Sequence, residues 1–335
     1  DKSEKVKLAS AKALANLGDR QSLSMLVTLL ESEDITTRNG SIRVLSALTG
    51  QRHKFIAYDK PENRQASIAA WKQWVESEGK TASLTFPVNE SKFVLGRTIY
   101  TNYRLHRVVE LDAEGKEIWS QQVQNPWGCV GLTNGHRLVT SYTQRTVTEY
   151  DAQGNQVWQQ TNLPSAPFRV ERLENGNTLI ACSNSHRVIE VDAKNEIVWD
   201  KTINGRPTDA RRLPNGNTLL ALQNGRRVIE VDPEGKEVWA INNLGSPISA
   251  DRLPNGNTLV SEPSGHSVRE FDPEGKEVWS SKSVGLHVQT PYDATRLENG
   301  NTLIADWNGL REVDPQGKVV STVKQEQGVS SVCRF

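Results

Sequence analysis

The sequence is poor in sulfur and has no excess of charge of either sign. It contains three cysteines and one methionine in 335 residues. Cys129, Cys182 and Cys333 cannot all pair with one another, and their spacing is not that of a zinc knuckle, so we interpret them as small core residues and predict no metal site. Lys plus Arg and Asp plus Glu number 40 each, which leaves no overall basic field to hold a phosphate backbone. A nucleic-acid partner is therefore not expected.

Long apolar runs are missing as well. The sequence has no stretch of about 18 apolar residues, the length that would suggest a membrane-spanning helix. It begins with charged residues rather than with the apolar core of a signal peptide. We therefore expect no membrane insertion. Because an export signal can be removed by processing, the compartment stays open, with an extracytoplasmic location favoured.

What the sequence does contain is a repeat of about 40 residues. Six copies of a Glu-x-Asp motif end in Asp112, Asp151, Asp192, Asp232, Asp272 and Asp314, at intervals of 39, 41, 40, 40 and 42 residues. A tryptophan follows each of the first five aspartates by seven residues, and Ser321 replaces it in the sixth copy. The segments between the Asn-Gly and Asp-x-x-Gly turns are short and rich in Val, Ile, Leu and Thr, which predicts four strands per copy.

Such four-stranded antiparallel units pack face to face around an axis, because each sheet must bury both of its faces. The sequence therefore predicts an all-β, six-bladed β-propeller over residues 81–335. The segment 329–335 aligns with a first strand, Arg334 standing where Arg212 stands, and is expected to close the ring. Pro87–Phe93 also fits the first-strand pattern, and the sequence leaves open which segment is innermost in the closing blade.

A recurring arginine ends the first strand of most copies, and a recurring glutamate lies in the third. We predict that these residues form ion pairs, since a charge placed where both faces of a sheet are covered needs a partner. Gly131 replaces the arginine in the second copy. Glu149 of that copy is therefore expected to have a different partner.

Residues 1–80 have another periodicity. Apolar residues at spacings of three and four predict amphipathic helices, with Asp19 and Asp34 as N-caps and Gly18 and Gly50 as helix ends. This segment resembles HEAT-type repeats. Residues 3–17 resemble the second helix of a preceding repeat, so we expect a longer natural helical array or a processed protein.

The propeller copies resemble the bacterial pyrroloquinoline-quinone-like and arylsulfotransferase-like propeller repeats. The resemblance rests on Arg-Leu-x-Asn-Gly-Asn-Thr-Leu and Arg-Val-Ile-Glu-Val-Asp-x-x-Gly-Lys-Glu-Val-Trp, and it implies a fold rather than an activity. The tryptophan motif of the quinone enzymes is one residue longer than Asp232–Trp239, and those rings usually have eight blades. The sulfotransferases use channel histidines, whereas the propeller histidines here follow no repeated channel motif. No cofactor is therefore expected.

Functional residues are expected where the copies differ, in the loops between fourth and first strands and between second and third strands. Nearest the predicted channel mouth lie Trp127, Phe168, Arg169, Asp209, His287, Tyr292 and Asp293. Farther out lie Tyr103, Arg145, His186, Arg226, Glu262, Asp306 and Trp307. Mixed aromatic and charged groups favour a polar small ligand or a peptide, with Arg169 and the two aspartates holding opposite ends of it. The alternative is that the aromatic residues plug the channel and the charges only solvate its mouth.

We therefore predict a non-enzymatic binding or scaffolding protein that recognises a protein partner or a polar small molecule at the channel mouth. The alternative is an enzyme, a lyase or a transferase, with its active site at the same mouth. The sequence contains no Gly-x-Ser-x-Gly and no Walker-type loop. Whether the protein is an enzyme stays open at this point.

Overall fold

The computed structural model describes residues 2–51, 53, 55, 57, 61–86, 88, 96–132, 134–297 and 299–335. The chain divides into two compact units. One comprises residues 1–95, 132–136 and Phe335, and the other comprises residues 96–131 and 137–334. No helix among the described residues has the length and apolar character needed to cross a membrane.

The first unit is helical. Its helices are α1 (Lys2–Asn16), α2 (Gln21–Leu29), α3 (Ile35–Thr49) and α4 (Pro61–Glu76), followed by a 3-10 helix over Glu78–Lys80. Their apolar faces form one core that includes the fully buried side chains of Leu26, Leu45 and Trp71.

The predicted capping residues lie at the helix ends or next to them. Asp34 Oδ2 accepts a hydrogen bond of 3.1 Å from the backbone N–H of Thr37, which is the N-cap geometry for α3. Asp19 Oδ1 accepts one of 2.8 Å from the N–H of Gln21, but the N-cap position of α2 is Arg20, one residue after the predicted cap. Gly18 and Gly50 take the left-handed conformation, with φ of 80° and 67°, where helices commonly end.

The second unit is a six-bladed β-propeller, which confirms the predicted fold class. The described residues form six four-stranded antiparallel sheets. Blades 1 to 3 contain β1 (Thr98–Asn102), β2 (Arg107–Leu111), β3 (Glu117–Gln122), β4 (Cys129–Gly131), β5 (Arg137–Ser141), β6 (Thr146–Tyr150), β7 (Gln156–Gln160), β8 (Pro167–Arg172), β9 (Thr178–Cys182), β10 (Arg187–Val191) and β11 (Ile197–Thr202). Blades 4 to 6 contain β12 (Pro207–Arg212), β13 (Thr218–Leu222), β14 (Arg227–Val231), β15 (Glu237–Ile241), β16 (Ser249–Arg252), β17 (Thr258–Glu262), β18 (Ser267–Phe271), β19 (Glu277–Ser280), β20 (Asp293–Arg296), β21 (Thr302–Asp306), β22 (Gly309–Val313) and β23 (Val319–Lys324).

The C-terminal strand β24 (Val329–Arg334) closes the ring. It pairs antiparallel with β1, with Tyr100 opposite Val332, and blade 1 has the strand order β24-β1-β2-β3. The predicted closure is thereby confirmed. Apart from Val88, the alternative first strand Pro87–Phe93 lies outside the described residues.

The core of this unit lies between blades. The cluster between blades 3 and 4, for example, joins Leu179 and Val188 of one sheet to Ala210 and Leu220 of the next. Similar clusters lie between other neighbouring pairs. Both faces of each sheet are thus covered by its neighbours, which explains the period of 40 residues in physical terms.

The predicted Arg–Glu ion pairs exist, but they join neighbouring blades. Arg252 Nη2 lies 2.9 Å from Glu230 Oε2 of the preceding blade, and its guanidinium stacks 4.4 Å from the Trp239 ring of that blade. The same pairs are Arg172–Glu149 at 2.5 Å, Arg212–Glu190 at 2.9 Å and Arg296–Glu270 at 2.6 Å. We call each set of arginine, glutamate and tryptophan an inter-blade staple.

The expectation for Glu149 was therefore wrong. Glu149 pairs with Arg172 of blade 3, because the first strand of each blade lies against the third strand of the blade before it. Gly131 instead takes the place of the arginine that would pair with Glu110 of blade 1. Its carboxylate is held by Arg97 and Arg137, at 2.9 and 2.5 Å.

Candidate functional site

The six innermost strands share one register, in which two alternate positions converge on the axis of the ring. The first of these positions, the upper layer, holds Gly128, Arg169, Asp209, Ser249, Asp293 and Ser331. The second, the lower layer, holds Val130, Glu171, Arg211, Asp251, Thr295 and Cys333. In the sequence, both layers are marked by the recurring Pro-x-x-x-x-Arg-Leu motif of the first strands. The third and fifth residues of this motif lie on the same side of the strand, because alternate residues of a strand do.

Three of the predicted site residues, Arg169, Asp209 and Asp293, lie in the upper layer, and two of them form an ion pair. Arg169 Nη1 lies 2.7 Å from Asp293 Oδ2, and the two residues are only 4% and 1% exposed. Arg169 also donates to Ser331 Oγ and, at 3.1 Å, to the carbonyl oxygen of Tyr292. The same Asp293 oxygen accepts the N–H of Val332 at 2.9 Å. Since blades 3 and 6 are opposite in a ring of six, this ion pair crosses the axis.

Asp209 is also bonded within the protein. Its two oxygens accept the N–H groups of Ala210 and Ala250, at 3.0 and 3.2 Å, and Oδ1 lies 3.4 Å from Arg211 Nε. Asp209 is 1% exposed. Its carboxylate therefore ties blade 4 to blade 5 and does not face solvent.

The lower layer is a second charged cluster, which the sequence reasoning missed. Arg211 is 29% exposed, and the pKa of its guanidinium is raised, chiefly by Asp209 and further by Asp251 and Glu171. Burial raises the pKa of Glu171 and of Asp251 despite the nearby Arg211. Glu171 Oε2 also accepts the N–H of Arg212 at 2.8 Å.

The predicted aromatic residues lie together above the upper layer. The Trp127 ring is stacked between Tyr103 at 4.8 Å and Phe168 at 4.7 Å, with Tyr292 against its edge at 5.6 Å. Trp307 lies 6.2 Å from Tyr103. We call these five rings the aromatic cluster. The Arg169–Asp293 pair crosses the axis next to this cluster.

A pocket of about 400 Å³ lies beside the aromatic cluster. It is lined by Asn125, Trp127, Tyr142, Phe168, Arg206, Gln223, Ile248, Pro263 and Tyr292. Six of these residues were not predicted: Asn125, Tyr142, Arg206, Gln223, Ile248 and Pro263. The sequence does contain a signal for three of them. Tyr142, Gln223 and Pro263 are the first residues of the turns between second and third strands, as Tyr103 and Trp307 are in their own blades.

The histidines of this face have structural contacts. His106, His186 and His266 take the left-handed conformation in the turns between second and third strands, and their Nδ1 atoms bond to the backbone of Asn125, Gly205 and Gln289. The predicted site residue His287 is exposed, and its carbonyl oxygen accepts a bond of 3.1 Å from Arg311. Within the described part of the chain, no three His, Cys, Asp or Glu side chains are grouped so as to hold a metal ion.

The fold and its repeats define the class of PQQ-like β-propeller repeat proteins. A family model described as outer membrane protein assembly factor BamB matches residues 38–213 and 196–331. The chain belongs to this family. The further resemblances to arylsulfotransferase and HEAT repeats stay predictions.

Solved structures match the fold at low sequence identity. A protein of unknown function from Bacteroides caccae is 19% identical, with 71% of this chain and 97% of that chain covered and a TM-score of 0.61. The WD40 β-propeller domain of Doa1 is 12% identical, with 62% and 71% covered and a TM-score of 0.52. Virginiamycin B lyase from Staphylococcus aureus is 13% identical over 58% of this chain and 68% of that chain, and its TM-score of 0.46 carries no functional argument. No curated protein matches the sequence.

Proposed function

We propose that this protein is a non-enzymatic binding protein whose propeller holds a protein partner at the aromatic cluster. One observation carries the proposal. The charged side chains of the predicted site, Arg169, Asp209 and Asp293, are buried and bonded to one another or to the backbone. The surface above them combines a pocket with four half-buried aromatic rings and the buried ring of Phe168, and exposed aromatic side chains around a pocket are typical of protein-binding surfaces.

The alternative of a lyase or transferase has less support. A general acid or base must reach the proton that it transfers, and the carboxylates of Asp209 and Asp293 are each 1% exposed. His287 is exposed, but it is not among the residues that line the pocket. An enzyme that used Asp293 as its acid or base would have to open the Arg169–Asp293 pair first.

The family supports a protein partner rather than a small metabolite, since its description is that of an assembly factor. We further propose that residues 1–80 form a HEAT-like segment and residues 81–335 the propeller, so that the chain offers two separate binding surfaces. Of these two binding surfaces, the pocket is the one on the propeller. Its volume of about 400 Å³ is large enough to receive a side chain of the partner.

The experiment selects ligands from a phage library of random peptides on the immobilised full chain and measures their affinity by fluorescence anisotropy. Trp127→Ala and Tyr292→Ala are expected to weaken binding by roughly tenfold or more, as for a central aromatic anchor. The control is Val238→Ala on the outer strand β15, where Val238 is 51% exposed, and it should bind as the wild type does. Peptides that bind all three variants equally would refute the proposed site.

A further inference from the structure

We infer that the partner segment is an acidic peptide that inserts one apolar side chain into the pocket beside the aromatic cluster. This inference rests on the proposed function and adds the chemistry of the ligand. It follows from the distribution of charge on the face of the propeller that carries the loops between fourth and first strands. We call this face the loop face.

The carboxylates of the loop face are used internally. Three carboxylates lie outside the channel, next to the turns of the loop face. Each of them has a cation or a backbone N–H as its partner. Glu262 accepts Gly245 N–H at 2.6 Å and pairs with Arg269 at 3.1 Å. Asp306 pairs with Arg311 at 2.9 Å, and Glu326 with Arg107 at 2.6 Å. These carboxylates therefore contribute little free negative charge.

Four arginines of the same face are not compensated in this way. Among the described residues, Arg104, Arg145, Arg206 and Arg226 have no carboxylate partner. Arg104 and Arg206 donate to the side-chain oxygens of Gln327 and Gln223, at 2.9 and 2.8 Å. Arg226 donates to a backbone carbonyl oxygen at 2.9 Å. Neutral acceptors leave each positive charge in place.

The loop face is thus electropositive although the chain is neutral overall. The opposite turns have the reverse bias, because the six Asp-x-x-Gly-Lys turns and their variants contain ten acidic and five basic side chains. A local excess of one sign steers partners of the other sign toward the surface. Arg206 lines the pocket itself and lies 5.7 Å from the Phe168 ring, so an acidic group next to the inserted side chain would meet it.

The rings argue for a peptide rather than a single-stranded nucleic acid, the other common ligand of basic and aromatic surfaces. Bases bind by stacking on a free aromatic face. Both faces of Trp127 are already covered, by Tyr103 at 4.8 Å and Phe168 at 4.7 Å. The pocket wall includes Phe168, Ile248 and Pro263, which suits one apolar side chain.

The test uses the peptides selected from the random library, with oligothymidylate as the nucleic-acid probe. We expect the selected peptides to be enriched in Asp and Glu around one Phe, Leu or Trp, and their affinity to fall several-fold between low and high salt. Arg206→Gln and Arg145→Glu should each weaken binding at least threefold. The matched control is Lys236→Glu, an exposed residue in the turn after β14, which should have no effect.

The two proposals fail in different ways. Neutral or basic peptides that lose affinity in Tyr292→Ala would refute the acidic ligand and leave the binding site standing. Acidic peptides that ignore Arg206→Gln and Arg145→Glu would refute the charge argument. Peptides insensitive to Tyr292→Ala would refute the site itself, and oligothymidylate that competes with the peptides would identify a nucleic-acid surface instead.

Discussion

At the scale of single residues, the charged side chains of the channel show what could be predicted from the sequence and what could not. Arg169, Asp209 and Asp293 were predicted to lie at the channel mouth, in loops that vary between the copies, whereas the structure places them in the innermost strands β8, β12 and β20. Whether they face a ligand or one another depends on the width of the ring. That width is set by six sheets packed together, and no local pattern states it.

The buried ion pair leads to a prediction for Asp293→Asn. Removing one partner of a buried pair leaves the other charge uncompensated, at a cost of about 3–5 kcal/mol. We therefore expect a large decrease in the free energy of unfolding by urea. The control is Asp200→Asn, because Asp200 pairs with Arg187 near the surface and its side chain is 34% exposed. That variant should lose no more than about 1 kcal/mol, and equal losses in the two variants would contradict the assigned burial.

The lower layer leads to a prediction about pH. Burial raises the pKa of Asp251 in the folded state above its value of about 3.9 in the unfolded chain. Protonated Asp251 therefore stabilises the folded state. Its contribution to the free energy of unfolding is fully present below the pKa that Asp251 has in the unfolded chain, and it is lost as the pH rises through the pKa that Asp251 has in the folded state. The Asp251→Asn variant has no carboxylate at this position and does not undergo this loss. Its free energy of unfolding, relative to that of the wild type, should therefore increase from pH 4 to pH 8. Urea unfolding at both pH values measures the difference, and a constant difference would count against a raised pKa.

At the scale of elements, the inter-blade staple explains why the repeat is so regular. Arg252 pairs with Glu230, stacks on Trp239 and donates to the carbonyl oxygen of Gly256 in its own turn. The sequence was sufficient to predict the Arg–Glu pairing, because both positions recur in register. It was not sufficient to assign the pair to two blades, since periodicity is the same whichever copies are in contact.

The seam between blades 6 and 1 has an incomplete staple, which provides a matched comparison. Ser321 stands where the tryptophan would be, and Arg334 lies 4.0 Å from Glu312. Arg252→Ala should lower the free energy of unfolding by about 1–3 kcal/mol, through a lost charged hydrogen bond and a lost stacking contact. Arg334→Ala should cost clearly less. A larger loss for Arg334→Ala would show that the stacked tryptophan adds nothing.

At the scale of the whole molecule, the fold was predictable because it repeats, and the site was only partly predictable because it does not. Six copies of one pattern define blade number, strand order and closure. The pocket is assembled from blades distant in sequence. Ile248 occupies the same position of the Pro-x-x-x-x-Arg-Leu repeat as Trp127, Phe168 and Tyr292, whereas Arg206 precedes that repeat and belongs to no shared motif. The overall charge of zero also conceals a loop face with four arginines that have no carboxylate partner within the described part of the chain.

The central claim is that partners bind the loop face over a channel closed by Arg169 and Asp293. Hydrogen–deuterium exchange of the full chain, with and without a selected peptide, tests it most directly. We expect slower exchange in the loop-face segments 102–106, 123–128 and 290–293, and unchanged exchange in the Asn-Gly-Asn turns on the opposite face. Slower exchange confined to those turns, to the outer strands or to the helical unit would contradict it.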